Sequence, residues 1–208
     1  MDLKKRCAAL LCALSLLSAP SLAAGSDEVS FPDLTGEEWY APAALELAQK
    51  GIMTGVEGGI FAGDRPVTRA TAVLVLWRLE GSPDAYVSQP FPDTEPWFET
   101  AAAWAKGKGI AKGDEHGAFN GRDLVTREQL AVFFYRYAQA KGETVGQGLL
   151  GRYPDSEDIS DWATDAMAHA VAVGILQGNS QGKLDPQGVA DRAALAIMLQ
   201  RLLIPAAG

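Results

Sequence analysis

Three segments of this chain carry apolar residues on almost every side of a helix. They are residues 70–79, 130–135 and 195–199, and each begins shortly after an arginine. A helix that lacks a polar face is usually buried on all sides. A shorter, alanine-rich segment precedes each of them, and in the first copy Ala43, Leu47 and Ala48 recur on one side at helical spacing. We therefore predict an all-α fold in which three central helices bury one another and shorter helices pack outside.

One sequence unit occurs three times. A Phe-Pro-Asp or Tyr-Pro-Asp motif stands at 31–33, 91–93 and 153–155. Downstream of a tryptophan the register is fixed, with a Gly-Ile pair twelve residues later, another glycine four residues beyond, and an arginine eighteen residues after the Gly-Ile glycine. A fixed spacing of this kind indicates tandem structural repeats. We place them at 31–81, 91–142 and 153–204, separated by turn-rich connectors.

Within each repeat the sequence predicts a helix, a loop and a second helix. The glycine of the Gly-Ile pair ends the first helix, because a glycine in the left-handed conformation followed by an apolar residue is a common C-terminal cap. The second helix begins after Thr68, Thr126 or Asp191, all good N-cap residues. In the second repeat Thr126 and Gln129 also form a capping box. We therefore expect three helix-loop-helix units in a pseudo-threefold bundle.

The N-terminus has the pattern of a secretory signal peptide. Three basic residues at 4–6 precede an apolar run at 8–17 and small residues at 18–23. We predict removal of residues 1–23, with cleavage after Ala24 as the alternative, followed by a short linker at 24–30. Both cysteines, Cys7 and Cys12, lie in the removed part, so we expect no disulfide in the mature chain.

Charge and residue types exclude several function classes. The formal charge of the 208-residue chain is -8, which argues against nucleic-acid binding. The apolar leader is too short to span a bilayer, so we expect no membrane span after processing. The chain has two histidines and, after processing, no cysteine, so few residues are available for a catalytic triad or a metal centre. We therefore predict a non-enzyme without cofactor or metal. A calcium site in the acidic segment 155–165 stays open, although EF-hand spacing is absent.

The repeat motifs resemble those of the S-layer homology (SLH) domain. The matching residues are Phe31-Pro32-Asp33, Trp39, Gly51-Ile52-Met53-Thr54-Gly55, Phe61 and Val67-Thr68-Arg69-Ala70, with their counterparts in the other repeats. The resemblance implies a secreted protein bound to the bacterial cell wall or S-layer. It also implies inter-repeat grooves that bind an anionic secondary cell-wall polysaccharide, often one carrying a pyruvate ketal.

The arginine that recurs at the equivalent position of each repeat is the best candidate for glycan binding. Arg69, Arg127 and Arg192 stand in the first turn of the second helix, where a cation opposes the helix dipole by roughly 0.3–1 kcal/mol. Free N–H groups at that helix end favour anions, and a guanidinium adds bidentate recognition of a carboxylate. The alternative is a structural arginine paired with an aspartate of a neighbouring repeat.

Further candidates occur at equivalent positions. The tryptophans could stack on sugar rings or anchor the core, and the aspartates could contact sugar hydroxyls or stabilise turns; we leave both alternatives open. The glycine four residues after each Gly-Ile pair starts the polar loop that we expect at the groove rim. The predicted glycan-binding residues, besides the arginines, are Trp39, Trp97, Trp162, Asp33, Asp93, Asp155, Gly55, Gly113 and Gly178.

Several residues depart from the family pattern. Tyr153, Leu184 and Asp191 replace the usual residues in repeat 3, so we expect its groove to contribute least. Gly63 and Gly121 stand where the family often has proline, and we expect those loops to be mobile.

Two functional hypotheses remain. The first hypothesis is a carbohydrate-binding wall anchor. The second hypothesis is an adaptor that binds another surface protein. The short length of sequence after Leu203 favours this second hypothesis.

Overall fold

The computed structural model describes residues 29–87 and 89–203, and this part of the chain is all-α without a β-strand. The predicted signal peptide and residues 24–28 of the linker lie outside the described residues. Each repeat contributes two α-helices, and short 3-10 turns lie within repeat 1 and ahead of the first helix of repeat 3. The helices are α1 Ala41–Gln49, α2 Arg69–Leu79, α3 Glu99–Gly107, α4 Arg127–Ala140, α5 Thr164–Ala172 and α6 Arg192–Leu203. None of these helices is long and apolar enough to cross a membrane.

The predicted caps set the ends of the helices. Thr68 and Thr126 accept hydrogen bonds from the N–H groups three residues on, and Thr126 forms the full capping box with Gln129. Asp191 Oδ1 accepts from the Ala194 N–H at 2.7 Å. The glycines of the three Gly-Ile pairs have φ values of 69°, 72° and 77°, as a left-handed cap requires. These predictions from the sequence are confirmed.

The helices pair across repeats. In each case the first helix of one repeat packs against the second helix of the repeat before it: α3 on α2, α5 on α4, and α1 on α6. The third repeat therefore closes on the first. The sequence does not predict this cyclic pairing of helices, because each repeat carries the same apolar pattern and several pairings would bury that pattern equally well. All three repeats share one apolar core.

A ring of backbone hydrogen bonds joins the repeats just before the second helices. The Val67 N–H donates to the Ala190 carbonyl at 2.8 Å, Ala190 donates to Val125 at 2.9 Å, and Val125 donates to Val67 at 3.0 Å. The three side chains are almost fully buried. At the opposite end of the second helices, Leu79, Tyr137 and Leu202 line one small cavity. Both ends of the three second helices therefore converge on the pseudo-threefold axis.

Gly63 and Gly121 make room for aromatic rings. A Cβ atom at Gly121 would lie 2.6 Å from Cζ of Phe98, and one at Gly63 would overlap the Tyr40 ring. Repeat 3 has Pro186 at the equivalent position and the small Ala163 in place of the ring. Packing against a ring therefore explains glycine at these two positions. In repeats 1 and 2 this space is filled by a glycine and a large ring. In repeat 3 the same space is filled by a proline and an alanine.

The connector between repeats 2 and 3 is bound to α5. The Gly148 N–H donates to the Ala168 carbonyl at 2.8 Å, and the Gly146 N–H donates to Nδ1 of His169 at 3.0 Å. His169 is 3% exposed and packs edge-on against Tyr135. Burial lowers the pKa of His169, while the nearby Glu143 carboxylate acts in the opposite direction. The imidazole therefore acts as a neutral hydrogen-bond acceptor.

Replacing Gly121 by alanine should lower the free energy of unfolding by about 1–3 kcal/mol, because the new methyl group overlaps Phe98 in a packed core. Urea denaturation followed by circular dichroism measures this change. Gly151→Ala is the matched control, since no atom lies within 4 Å of a Cβ at Gly151. Equal losses in the two variants would contradict the packing role.

Protonation of His169 should weaken the fold. Its pKa is depressed in the folded state, so its contribution is complete above the unfolded value of about 6.5 and decreases as pH falls. The decrease reaches at most about 1.4 kcal/mol per pH unit in that window. Urea denaturation at pH 8 to 5 should show the advantage of wild type over His169→Gln shrinking below pH 6.5. A constant difference would refute the prediction, and His116→Gln, on an exposed loop, is the control.

Candidate functional site

The arginine at the start of each second helix crosses to the next repeat. Its Nε–H donates to a loop carbonyl there at 2.7–2.9 Å. The three pairs are Arg69 with Phe119, Arg127 with Leu184, and Arg192 with Phe61. Since the last pair returns to repeat 1, the arginines form a closed ring of side-chain hydrogen bonds. They lie at the seams between repeats, where the sequence placed them.

The backbone N–H groups at these helix ends are not free. The first helical N–H of α2, α4 and α6 donates to a carbonyl of the neighbouring repeat at 2.9, 2.9 and 3.0 Å. The second N–H does the same, and the third is bound by the N-cap side chain. The expectation of free N–H groups for an anion is therefore wrong, because neighbouring loops occupy them. Anion recognition here depends on the guanidinium groups.

The three guanidinium groups differ in what remains available. Arg192 is 8% exposed, and its Nη2 donates to the Thr54 carbonyl at 2.8 Å. Nη2 of Arg69 makes a longer bond of 3.3 Å to the Lys112 carbonyl. In contrast, Nη1 and Nη2 of Arg127 donate to no residue of the described part of the chain. Arg127 therefore keeps both of its Nη groups available as donors within the described part of the chain.

All three arginines remain cationic at neutral pH. Burial lowers the pKa of Arg69 and Arg127, and nearby aspartates act against that shift. For Arg192, burial lowers the pKa to about 10, helped by the positive charges of Arg65 and Arg78. The Arg69 and Arg192 guanidinium groups also lie about 5 Å from the ring centres of Phe119 and Phe61. Leu184 offers no such ring to Arg127.

Each arginine lies in a groove built by all three repeats. One repeat supplies the loop and second helix, the preceding repeat supplies the arginine, and the following repeat supplies the tryptophan. We name the grooves after their arginines. The Arg69 groove contains Trp162 and measures about 350 Å³, the Arg127 groove contains Trp39 and measures about 510 Å³, and the Arg192 groove contains Trp97 and measures about 420 Å³.

Every groove lining has more cationic than anionic side chains. The Arg69 groove has three against two, the Arg127 groove two against one, and the Arg192 groove three against none. Lys112, Arg65 and Arg122 add to this charge, and sequence comparison of the repeats does not reveal them because their positions are not equivalent. A chain with a formal charge of -8 therefore concentrates positive charge in its grooves.

The three tryptophans are exposed. Trp39, Trp97 and Trp162 are 66%, 50% and 59% exposed, so they do not anchor the core. Trp39 and Trp97 each lie edge-on to the next residue, Tyr40 or Phe98, which is stacked or tilted on the loop phenylalanine. The faces that remain free point to a role at the surface. Of the two alternatives left by the sequence, the structure disfavours core anchoring.

The three motif aspartates bind backbone of their own repeat. Both carboxylate oxygens of each accept an N–H from the loop about thirty residues on, at 2.6–3.0 Å. The acceptors are Asp33, Asp93 and Asp155. Burial would raise the pKa of Asp33 and Asp155, but these hydrogen bonds outweigh it and lower the pKa. The carboxylates are absent from the groove linings.

The predicted glycines start the loops that edge the grooves. Gly113 and Gly178 line the Arg69 and Arg127 grooves, and a Cβ atom there would lie 2.9 and 3.0 Å from the backbone of Gly117 and Gly182. At Gly55 the nearest atom would be Cε1 of Phe31, also at 3.0 Å. Close approach of the backbone therefore explains Gly113 and Gly178, and close approach of a ring explains Gly55. Arg78, Arg136 and Arg201, later in the helices, donate to the carbonyl of the Gly-Ile isoleucine of their own repeat.

No group of three or more histidine, cysteine, aspartate or glutamate side chains with the arrangement of a metal site occurs among the described residues. In the acidic segment 155–165, both carboxylate oxygens of Asp155 accept backbone N–H groups, those of Leu184 and Asp185.

Comparison with known proteins agrees with the repeat geometry. The sequence profile of the S-layer homology domain matches residues 30–73, 90–131 and 152–196. The chain belongs to the SLH family. Domains of this family are typically cell-wall anchoring modules of S-layer and other surface proteins, which indicates a location at the cell surface in association with the wall.

The similar proteins include S-layer proteins and enzymes. The chain is 26% identical to S-layer protein EA1 of Bacillus anthracis over 86% of its own length and 20% of that protein. It is 28% identical to an endoglucanase of Bacillus sp. (strain KSM-635) over 90% of this chain and 20% of the enzyme. An amylopullulanase of Thermoanaerobacterium thermosulfurigenes is 30% identical over 80% of this chain and 9% of the enzyme. The chain thus spans about a fifth or less of these three relatives.

Asp155→Asn should lower the free energy of unfolding by about 1–3 kcal/mol, because an amide can accept one of the two buried N–H groups but turns a donor toward the other. Thermal or urea unfolding without glycan measures the loss. Asp158→Asn, an exposed change nearby, is the control. Wild-type stability combined with weaker wall binding would instead assign Asp155 to the ligand.

Proposed function

We propose that this domain is a non-catalytic anchor that binds an anionic, pyruvylated secondary cell-wall polysaccharide in its inter-repeat grooves. The observation that carries the proposal is the pairing of a guanidinium with an exposed tryptophan in all three grooves, within linings that are net positive. The positive linings favour an anionic ligand over a neutral one. Family membership supports wall binding in general, whereas the ligand's chemistry is inferred from the grooves.

The two side chains would recognise different parts of the same glycan. An exposed indole face suits the apolar face of a pyranose ring. The guanidinium can hold a carboxylate through two parallel N–H···O bonds, which are stronger and more directional than neutral hydrogen bonds. Arg127 is best placed for this because its Nε–H is fixed by Leu184 while its Nη groups remain available. The Nε bond would keep the group oriented before the ligand arrives.

The grooves would contribute unequally. The Arg127 groove is the largest and includes the neutral polar residues Gln177, Asn179 and Ser180, which suit sugar hydroxyls. Arg192 is buried and uses two of its nitrogen atoms within the protein. This supports a smaller contribution from the third-repeat arginine, but the loop and second helix of repeat 3 line the Arg127 groove, so the expectation that the groove of repeat 3 contributes least is not supported. The wall glycan would therefore be bound chiefly through Arg69 and Arg127.

The alternative function is that of a surface adaptor with weak or no glycan binding. One observation favours it: the residues around the backbone ring, Pro66, Leu124 and Val189, are apolar and exposed. A protein partner could cover them. The two functions differ in whether binding requires the wall polysaccharide.

Cosedimentation of the mature protein with Gram-positive wall sacculi distinguishes them. We expect binding to intact walls, loss of binding after the secondary polysaccharide is stripped, and at least a tenfold loss, about 1.4 kcal/mol, for Arg69→Ala combined with Arg127→Ala. Each variant must first show wild-type helicity at the assay temperature. Tyr86→Ala, which removes a 90% exposed aromatic residue outside the groove linings, is the control. Unchanged binding by the double variant would refute the arginine site, and unchanged binding to stripped walls would favour the adaptor.

A further inference from the structure

Glu128 is a buried carboxylate without a cationic partner in the described part of the chain. It is the second residue of α4 and is 1% exposed. Its Oε2 accepts the Ser160 N–H at 3.0 Å, and its Oε1 accepts the Ser160 hydroxyl and Gln187 Nε2, both at 2.9 Å. Burying a charge is costly unless hydrogen bonds compensate it. A carboxylate kept at this position therefore calls for an explanation.

These hydrogen bonds run from repeat 2 to the turn of repeat 3 that carries Trp162. Ser160 precedes the 3-10 turn Asp161–Ala163, and the Ala163 N–H donates to its carbonyl at 2.8 Å. Gln187 also donates to the Asp158 carbonyl at 3.0 Å, which holds the other side of the turn. Trp162 is 59% exposed, so its own packing holds it weakly. The backbone of this turn sets where the indole stands in the Arg69 groove.

The other two tryptophans lack this buried carboxylate, and Trp97 is held differently, through its indole N–H, which donates to Glu95 Oε2 at 3.3 Å. Two positions of each repeat can be compared: the residue two before its tryptophan and the residue five before its own first-turn arginine. They are Ser160 and Gln187 in repeat 3, Glu95 and Arg122 in repeat 2, and Glu37 and Asp64 in repeat 1. Glu95 and Arg122 form a two-bond ion pair at 2.6 and 2.9 Å, with the Arg122 side chain 82% exposed. Glu37 and Asp64 are both acidic and form no ion pair within the described residues. Ala70 and Ala193 occupy the positions equivalent to Glu128.

We propose that Glu128 is a positioning residue that holds Trp162 in place and thereby pre-organises the Arg69 groove for glycan binding. The proposal rests on the proposed function for its ligand, but the positioning itself is a property of the free protein. A side chain held in its binding conformation loses less freedom when the ligand arrives, and affinity rises accordingly. The Arg127 groove contains Trp39, whose repeat has the acids Glu37 and Asp64 at these two positions, and it gains no such advantage.

The substitution Glu128→Gln changes the charge of the side chain and the number of its hydrogen-bond acceptor atoms. Glutamine has the same shape, but one of its two terminal atoms is a donor and would face Ser160 or Gln187, which also donate. Ser160→Ala removes the hydroxyl's hydrogen bonds with Glu128 and Gln187 while leaving the carboxylate in place. We expect the same change in both variants, smaller in Ser160→Ala.

Fluorine NMR of protein labelled with 5-fluorotryptophan tests the proposal. The chain has five tryptophans, and single Trp→Phe variants assign their signals. In the free protein, Glu128→Gln should shift or broaden the Trp162 signal while those of Trp39 and Trp97 stay unchanged. On titration with polysaccharide released from wall sacculi, the midpoint at Trp162 should rise about fivefold or more, and the midpoints at the other two should change less than twofold. Glu99→Gln, at the exposed first position of α3, is the control.

Each outcome decides one part of the proposal. An unchanged Trp162 signal in both variants would overturn positioning. Changes at all tryptophans together with a lower melting temperature would overturn it too, because Glu128 would then only stabilise the fold. A changed Trp162 signal with an unchanged titration midpoint would overturn pre-organisation. If no tryptophan of the wild-type protein responds to the polysaccharide, the proposed function fails, while the free-protein spectra still decide positioning.

Discussion

The structure depends on one constraint: no repeat satisfies the first two N–H groups of its own second helix. The first two N–H groups of each such helix donate to carbonyls of another repeat, and the Val67, Val125 and Ala190 ring closes the circuit. A hydrogen bond contributes only about 0.5–1.5 kcal/mol net, but a buried N–H left without a partner costs more. Breaking one seam would therefore expose several groups at once. The three repeats should behave as a single cooperative unit.

The same constraint explains an arginine that helix electrostatics alone would disfavour. Its position in the first turn opposes the helix dipole, yet from there its Nε–H reaches the loop carbonyl of the next repeat. The side chain consequently lies at a seam, with a loop on one side and a tryptophan from the remaining repeat on the other. The grooves are thus a product of cyclic closure, and differences between repeats become differences between grooves.

Much of the fold could be predicted from the sequence because it is locally encoded and repeated. Caps such as Thr126 with Gln129, and the glycines after the first helices, follow from short-range chemistry. The cross-repeat pairing could not, since identical apolar patterns fit several partners. The exposure of the tryptophans, the fit of Gly121 to Phe98 and the role of Glu128 also depend on contacts between distant segments, and Glu128 has no counterpart in the other repeats that would draw attention to it.

The central claim is that one guanidinium locks two repeats through Nε and receives an anionic glycan through its Nη groups. Nitrogen NMR of protein labelled at arginine, recorded with released wall polysaccharide before and after mild-acid removal of its pyruvate, tests this most directly. We predict that the Nη signals of Arg127 change with the pyruvylated polysaccharide only, while its Nε–H stays protected throughout. Binding of the polysaccharide without any change at the groove arginines would contradict the account.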